Sequence, residues 1–168
     1  MRNMENYFTA IKLLVTTISA YVSAKLGILA PLILLLLIEM VADYVSALLA
    51  AKVEKLNNPN NPKFGWSSKK GALGIFKKLG YGLAVVVGMS IDYLIVVLTK
   101  ELGITINVDT FFGLLTTIWL ILNELLSITE NLYRADVRLP SFLQSIVLIL
   151  KKNVETKINL ENAEKRGE

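Results

Sequence analysis

Long apolar stretches dominate this sequence, and acidic side chains are embedded in most of them. The stretches cover residues 7–25, 29–51, 79–98 and 110–128. Glu39 and Asp43 lie in the second stretch, Asp92 in the third and Glu124 in the fourth. A carboxylate inside hydrocarbon costs at least about 2.5 kcal/mol, so such a side chain normally faces other helices or a water-filled path. The pattern predicts a membrane protein whose interior is polar.

The composition of the chain narrows its function further. Hydrophobic residues make up 54% of the 168 residues, which is too apolar for an ordinary soluble domain. The chain has no cysteine and no histidine, which removes disulfides, thiol catalysis and imidazole chemistry. We therefore expect no enzyme, no cofactor and no metal site. The basic residues flank apolar stretches, so their expected counter-charge is anionic lipid and not nucleic acid.

Lysine positions predict how the apolar stretches are oriented. The loop at residues 52–78 is rich in lysine, and short loops of this kind stay on the cytoplasmic side. We therefore expect an all-α bundle of four transmembrane helices within residues 1–135, with both termini cytoplasmic. Three spans, with the first stretch lying on the membrane, is the alternative. Val22-Ser23-Ala24 resembles a signal cleavage site, but Lys12 interrupts the apolar run, so we expect this stretch to be retained.

Residues 136–160 predict an amphipathic helix on the cytoplasmic surface. Pro140 suits a helix start, and apolar residues at helical spacing follow it. A helix that docks as a soluble element is the alternative, and residues 161–168 are expected to be a charged tail. Five lysines beside the spans and this helix are the predicted contacts with anionic lipid: Lys69, Lys77, Lys78, Lys151 and Lys152.

Small residues at every fourth position predict close helix packing in two of the spans. These stripes consist of Gly80, Ala84 and Gly88 in the third span and of Ala47 and Ala51 in the second. The plainer explanation is that glycine and alanine are common in membrane helices. Asp92 continues the first stripe, however, and this favours a face turned toward a protein neighbour.

Polar residues form two further stripes. In the first stretch they are Thr9, Lys12, Thr16, Ser19 and Ser23, and in the fourth Asn123, Ser127 and Glu130 lie along one side with Trp119. The polar stripe of the first stretch predicts either a hydrogen-bonded contact between helices or a surface that lines a pore. The stripe of the fourth stretch predicts helix contacts. Lys12, Asp43 and Glu124 lie at similar depth in the membrane if the spans are centred on it. Because pairing lowers the cost of burying charges, we predict that Lys12 pairs with Asp43 or Glu124.

Several of these residues belong to a pattern that resembles the phage lysis and toxin-secretion holin family. The similarity covers roughly residues 32–150, and its most specific part is the segment 123–131 with the proline that follows. The matching positions are Asp43, Lys70, Gly71, Asp92, Glu124, Ser127, Glu130, Asn131 and Pro140. The Asn-Pro repeat at residues 57–62 and the leading segment with Lys12 depart from the family pattern.

The resemblance implies a small protein of the bacterial inner membrane that forms homo-oligomers and permeabilises the membrane. A cell-wall hydrolase, or in some relatives a toxin, would then reach the outside. The resemblance assigns no chemical role to the motif residues. A small ion or proton channel, or a transporter subunit with Asp43, Asp92 and Glu124 as a relay, is the alternative function. A membrane scaffold that docks a cytoplasmic partner is a third.

Overall fold

Helices account for nearly all of the described chain. The computed structural model describes residues 2–104 and 110–164, which form α1 (Arg2–Leu26), α2 (Leu29–Asn57), α3 (Ser68–Glu101), α4 (Phe111–Arg134) and α5 (Ser141–Glu164). The described ranges contain no strand. The all-helical class predicted from the sequence is confirmed.

Three of these helices, α2, α3 and α4, are long and apolar enough to cross a membrane. The described residues of α1 do not meet the same measure of length and hydropathy. Helices suit this role because every backbone hydrogen bond is made within the segment. The second, third and fourth predicted spans therefore correspond to membrane-type helices, whereas a span in α1 stays a prediction.

Helix α4 is the centre of the bundle. It packs along both α2 and α3, whereas α2 and α3 touch each other only slightly. The core between them is formed by Leu36, Val85, Leu120 and Ile121. Most other large apolar side chains of α2 and α3 are exposed, as expected for helices surrounded by lipid. The order of packing thus leaves an open side between α2 and α3.

The connection between α2 and α3 is shorter than the predicted loop at 52–78. Only residues 58–67 lie between the two helices, because the lysine-rich flanks on both sides continue as helix. Lysine and glutamate are good helix formers, and Pro59 and Pro62 stop the first helix. The Lys55 ammonium donates to the carbonyl oxygens of Pro59 and Asn61, at 2.8 and 3.3 Å, and so holds the connection against α2.

A Schellman turn ends α4 and directs the chain into α5. Asp136 has φ 58°, the Asp136 N–H donates to the Tyr133 carbonyl, and the Val137 N–H donates to the Leu132 carbonyl. Helix α5 begins directly after Pro140, as expected, and packs against α4 with Val147 buried. It continues to Glu164, so residues 161–164 of the predicted charged tail are helical.

Candidate functional site: a buried charge cluster

Lys78 joins two acids that belong to different helices. The Lys78 Nζ lies 2.9 Å from Asp43 Oδ2 and also donates to Glu124 Oε2. The side chain of Glu124 is 4% exposed, and those of Lys78 and Asp43 are each 16% exposed. One ammonium group on α3 therefore neutralises carboxylates of α2 and α4. The Lys78 ammonium thus pairs with acids inside the bundle, and its predicted contact with anionic lipid stays a prediction.

The predicted pairing of Lys12 with Asp43 or Glu124 is wrong. Lys12 is exposed on α1, a helix that contacts only α2 among the described elements. Lys78 occupies the position instead, because its long flexible side chain reaches inward from the end of the apolar part of α3. Depth along a span, which suggested Lys12, does not determine which helix lies nearest.

Asn131 extends this pairing toward the end of the bundle. Its amide Nδ2 donates to Asp43 Oδ1 at 3.0 Å and to Ser46 Oγ at 3.2 Å. Its Oδ1 accepts from Arg134 Nη1 at 3.2 Å. The Arg134 guanidinium makes a two-pronged contact with Glu54, with N to O distances of 2.8 and 2.9 Å. Such paired hydrogen bonds between ions are strong and directional.

These contacts form one continuous set of polar side chains, which we call the charge cluster: Asp43, Glu54, Lys78, Glu124, Asn131 and Arg134. The cluster begins at a buried carboxylate and ends at a partly exposed ion pair. It connects all three membrane-type helices. No buried side-chain nitrogen or oxygen of the described residues lacks a hydrogen-bond partner.

Asp92 forms a separate junction near the start of α4. Its Oδ1 accepts from the Phe112 N–H at 2.8 Å, and its Oδ2 accepts from the Gly113 N–H at 2.7 Å. The side chain is buried and faces a protein neighbour, as its position on the stripe predicts. An anion at a helix N-terminus satisfies free amide groups and interacts favourably with the helix dipole. The carboxylate of α3 therefore caps α4 from the side.

The small-residue stripe of α3 contacts a neighbouring helix at one end only. A Cβ at Gly88 would lie 2.9 Å from the Phe112 carbonyl oxygen, so the two backbones are in direct contact there. Ala84 is half-buried beside the core. Gly80 is exposed and a Cβ there would meet nothing within 4 Å, so its predicted packing role is not found within this chain. The face of α3 that packs inward contains Lys78, Tyr81, Val85 and Gly88, and Gly80 lies outside it.

Two glycines of this stripe give a matched comparison. We expect Gly88→Ala to lower the free energy of unfolding by about 1–3 kcal/mol, because the new methyl overlaps the backbone of α4. Gly80→Ala should leave stability unchanged or raise it by up to about 1 kcal/mol through helix propensity. Unfolding of the purified protein in detergent measures both values. Equal losses at the two sites would contradict the packing seen at Gly88.

Four members of the α1 polar stripe have described side chains, and all four are exposed: Thr9, Lys12, Thr16 and Ser23. Thr9 and Thr16 are exposed and donate to carbonyl oxygens of their own helix, those of Glu5 and Lys12. Ser23 is exposed, and the side chain of Ser19 lies outside the described residues. The structure does not place this stripe against a partner, so lining a pore stays a prediction.

The remaining predicted polar residues lie around the charge cluster and not within it. Glu39, Asn123 and Ser127 are half-buried, and Glu130 is exposed. The predicted lipid-facing lysines, apart from Lys78, are exposed or half-buried: Lys69, Lys77, Lys151 and Lys152. The Lys77 ammonium lies 5.6 Å from the centre of the Tyr81 ring, a cation–π contact.

Sequence reasoning missed two parts of this site. The Arg134–Glu54 pair could have been found from opposite charges at corresponding ends of two spans. The second part is Trp66, whose ring lies over Gly71 and meets Tyr44 edge-on at 6.0 Å. A Cβ at Gly71 would lie 2.7 Å from the Trp66 ring, so the glycine of the Lys70-Gly71 motif makes room for it.

A comparison with known families identifies the chain. The model described as the bacteriophage holin family matches residues 20–152. The chain belongs to the bacteriophage holin family. The holin match includes α2, α3, α4 and every residue of the charge cluster, but only the last part of α1. No curated protein and no solved structure matched the chain. Holins are pore-forming membrane proteins and not enzymes, and the described residues contain no group of acids that could hold a metal ion.

Proposed function

We propose that this chain forms homo-oligomers in the bacterial cytoplasmic membrane and permeabilises it, so that a cell-wall hydrolase or a toxin can pass. The observation that carries this proposal is the holin family match across three apolar helices, in which Asp43 and Glu124 are paired with Lys78 inside one chain. This pairing lowers the cost of holding Asp43, Lys78 and Glu124 in the membrane while the chain accumulates. The same polar groups could face water in an assembly of several copies.

Opening would require the charge cluster to exchange its internal partners for water. Removing one partner of a buried ion pair costs about 3–5 kcal/mol, and this is an upper bound for opening because water would hydrate the separated charges. Moving one charge through 100 mV changes the energy by about 2.3 kcal/mol. The two energies are comparable, which supports a loss of membrane potential as a trigger. Self-association at a high concentration of the protein in the membrane would also favour opening.

Controlled expression in bacteria tests this function. Induction together with a cell-wall hydrolase that lacks its own export signal should cause abrupt growth arrest and lysis that depends on the hydrolase. Induction without the hydrolase should stop growth without lysis. Turbidity and hydrolase activity in the medium are the measurements. Steady ion leakage without release of protein would favour a channel.

The arrangement of the acids supports the holin proposal over a proton relay. Asp92 contacts the start of α4, whereas Glu124 lies twelve residues further along the same helix, a separation of about 18 Å. The Asp92 oxygens accept from two backbone amides, and those of Asp43 and Glu124 accept from Lys78. The three carboxylates of the suggested relay therefore form two separate junctions and not one path.

A further inference from the structure

A basic cavity lies at the polar end of the bundle, between α2, α3 and the connection at 58–67. Its volume is about 230 Å³. Four cationic side chains line it, those of Lys63, Lys70, Lys78 and Arg134, against two acids, Asp43 and Glu54. Trp66 and Tyr44 form its aromatic wall.

The cations of this cavity are of two kinds. Lys78 and Arg134 are bound to acids of the charge cluster. Lys63 and Lys70 make no ion pair within 4 Å among the described residues. The cavity therefore holds positive charge that the chain itself does not neutralise. This excess is suited to an anion such as a phosphate group.

An apolar groove continues from the cavity along the membrane-facing side of the bundle. Its volume is about 600 Å³, and it is lined by Leu37, Met40, Val41, Ile75, Leu79 and Gly82. Tyr44 and Lys78 line both the cavity and the groove, so the two are adjacent. The groove exists because α4 packs under both α2 and α3 and leaves their outer sides apart. An anionic end followed by an apolar channel matches an amphiphile.

We propose that the cavity and the groove together bind an anionic phospholipid. Its phosphate lies between Lys63 and Lys70, and one acyl chain follows the groove between α2 and α3. The position agrees with a membrane boundary, because the apolar part of α2 ends near Ala51 and that of α3 begins at Leu79. Trp66, which is 51% exposed, is a residue type enriched at that boundary. The site requires a membrane location but not permeabilisation.

Native mass spectrometry of the full chain in detergent tests this site with phosphatidylglycerol, phosphatidylcholine, glycerol phosphate and inorganic phosphate as separate ligands. We expect one phosphatidylglycerol to bind more tightly than phosphatidylcholine. Lys63→Gln with Lys70→Gln should weaken phosphatidylglycerol binding about 30-fold, because each basic side chain contributes about a factor of five. Lys52→Gln with Lys100→Gln removes the same charge at exposed positions outside the cavity and should change binding little.

A second pair of variants tests the groove. Gly82→Leu fills it and should weaken both lipids, whereas Gly80→Leu, on the same helix but outside the groove, should not. Equal losses from the two lysine pairs would overturn the proposal, since they would indicate diffuse attraction. So would unchanged binding in the Lys63 and Lys70 variant, or equal affinity for inorganic phosphate and phosphatidylglycerol. The Gly82→Leu variant is also expressed in cells together with the hydrolase. Lysis of those cells despite weakened lipid binding would show that the lipid site and the holin function fail independently.

Discussion

Lys78→Met is expected to lower the free energy of unfolding by about 3–5 kcal/mol and to reduce the amount of protein in the membrane. The change leaves Asp43 and Glu124 close together without their shared cation. Removing one partner of a buried ion pair has a cost of this size because the remaining charge is neither solvated nor paired. Unfolding in detergent, followed by circular dichroism, measures the loss.

The neighbouring lysine is the matched control for this prediction. Lys77→Met removes the same charge one residue away, but Lys77 is exposed and contacts the Tyr81 ring, so we expect a loss below about 1 kcal/mol. Adding Asp43→Asn and Glu124→Gln to the Lys78→Met chain should restore much of the stability by removing both unpaired charges. Similar losses for the two lysine variants would contradict the role assigned to Lys78.

Asp92→Leu is expected to lower the free energy of unfolding by about 2–4 kcal/mol. The backbone amides of Phe112 and Gly113 would lose their charged acceptor, and each hydrogen bond to a charged group contributes about 1.5–3 kcal/mol. Asp92→Asn should lose less, because its single carbonyl oxygen can still accept. The measurement is again unfolding in detergent. Amide hydrogen exchange at Phe112 and Gly113 should rise in both variants.

Ser90→Leu is the control for this second prediction. Ser90 lies on the same helix, is exposed, and donates only to the Val86 carbonyl of its own helix. We therefore expect a change within about 0.5 kcal/mol. If Asp92→Leu proved as mild as Ser90→Leu, the carboxylate would not stabilise the start of α4.

The sequence predicted the three membrane-type helices and the protein-facing side of Asp92 because both follow from local pattern. Hydropathy over about twenty residues indicates a span, and spacing by four residues places Asp92 and Gly88 on one face. The partner of Asp92 could not be predicted. The partner is the backbone N–H groups at the start of α4, and every residue except proline has such a group, so residue types do not identify it.

The errors come from contacts between helices. Lys12 and Lys78 are both cations near the ends of apolar stretches, and only the order in which helices pack decides which one reaches Asp43. Gly80 and Gly88 belong to one stripe in the sequence, yet only Gly88 lies on the face of α3 that packs against α4. Spacing gives the face of a helix, but the crossing geometry decides how much of that face is covered.

If α2, α3 and α4 each cross the membrane once, the number of crossings is odd. An odd number of crossings places the first residue of α2 and the last residue of α4 on opposite faces of the membrane. The side of the N-terminus therefore depends on α1. If α1 lies on the membrane surface, the N-terminus is on the opposite side of the membrane from α5. If α1 crosses the membrane, the N-terminus and α5 are on the same side. Because the chain contains no cysteine, a single one introduced before α1 would report the side without background labelling.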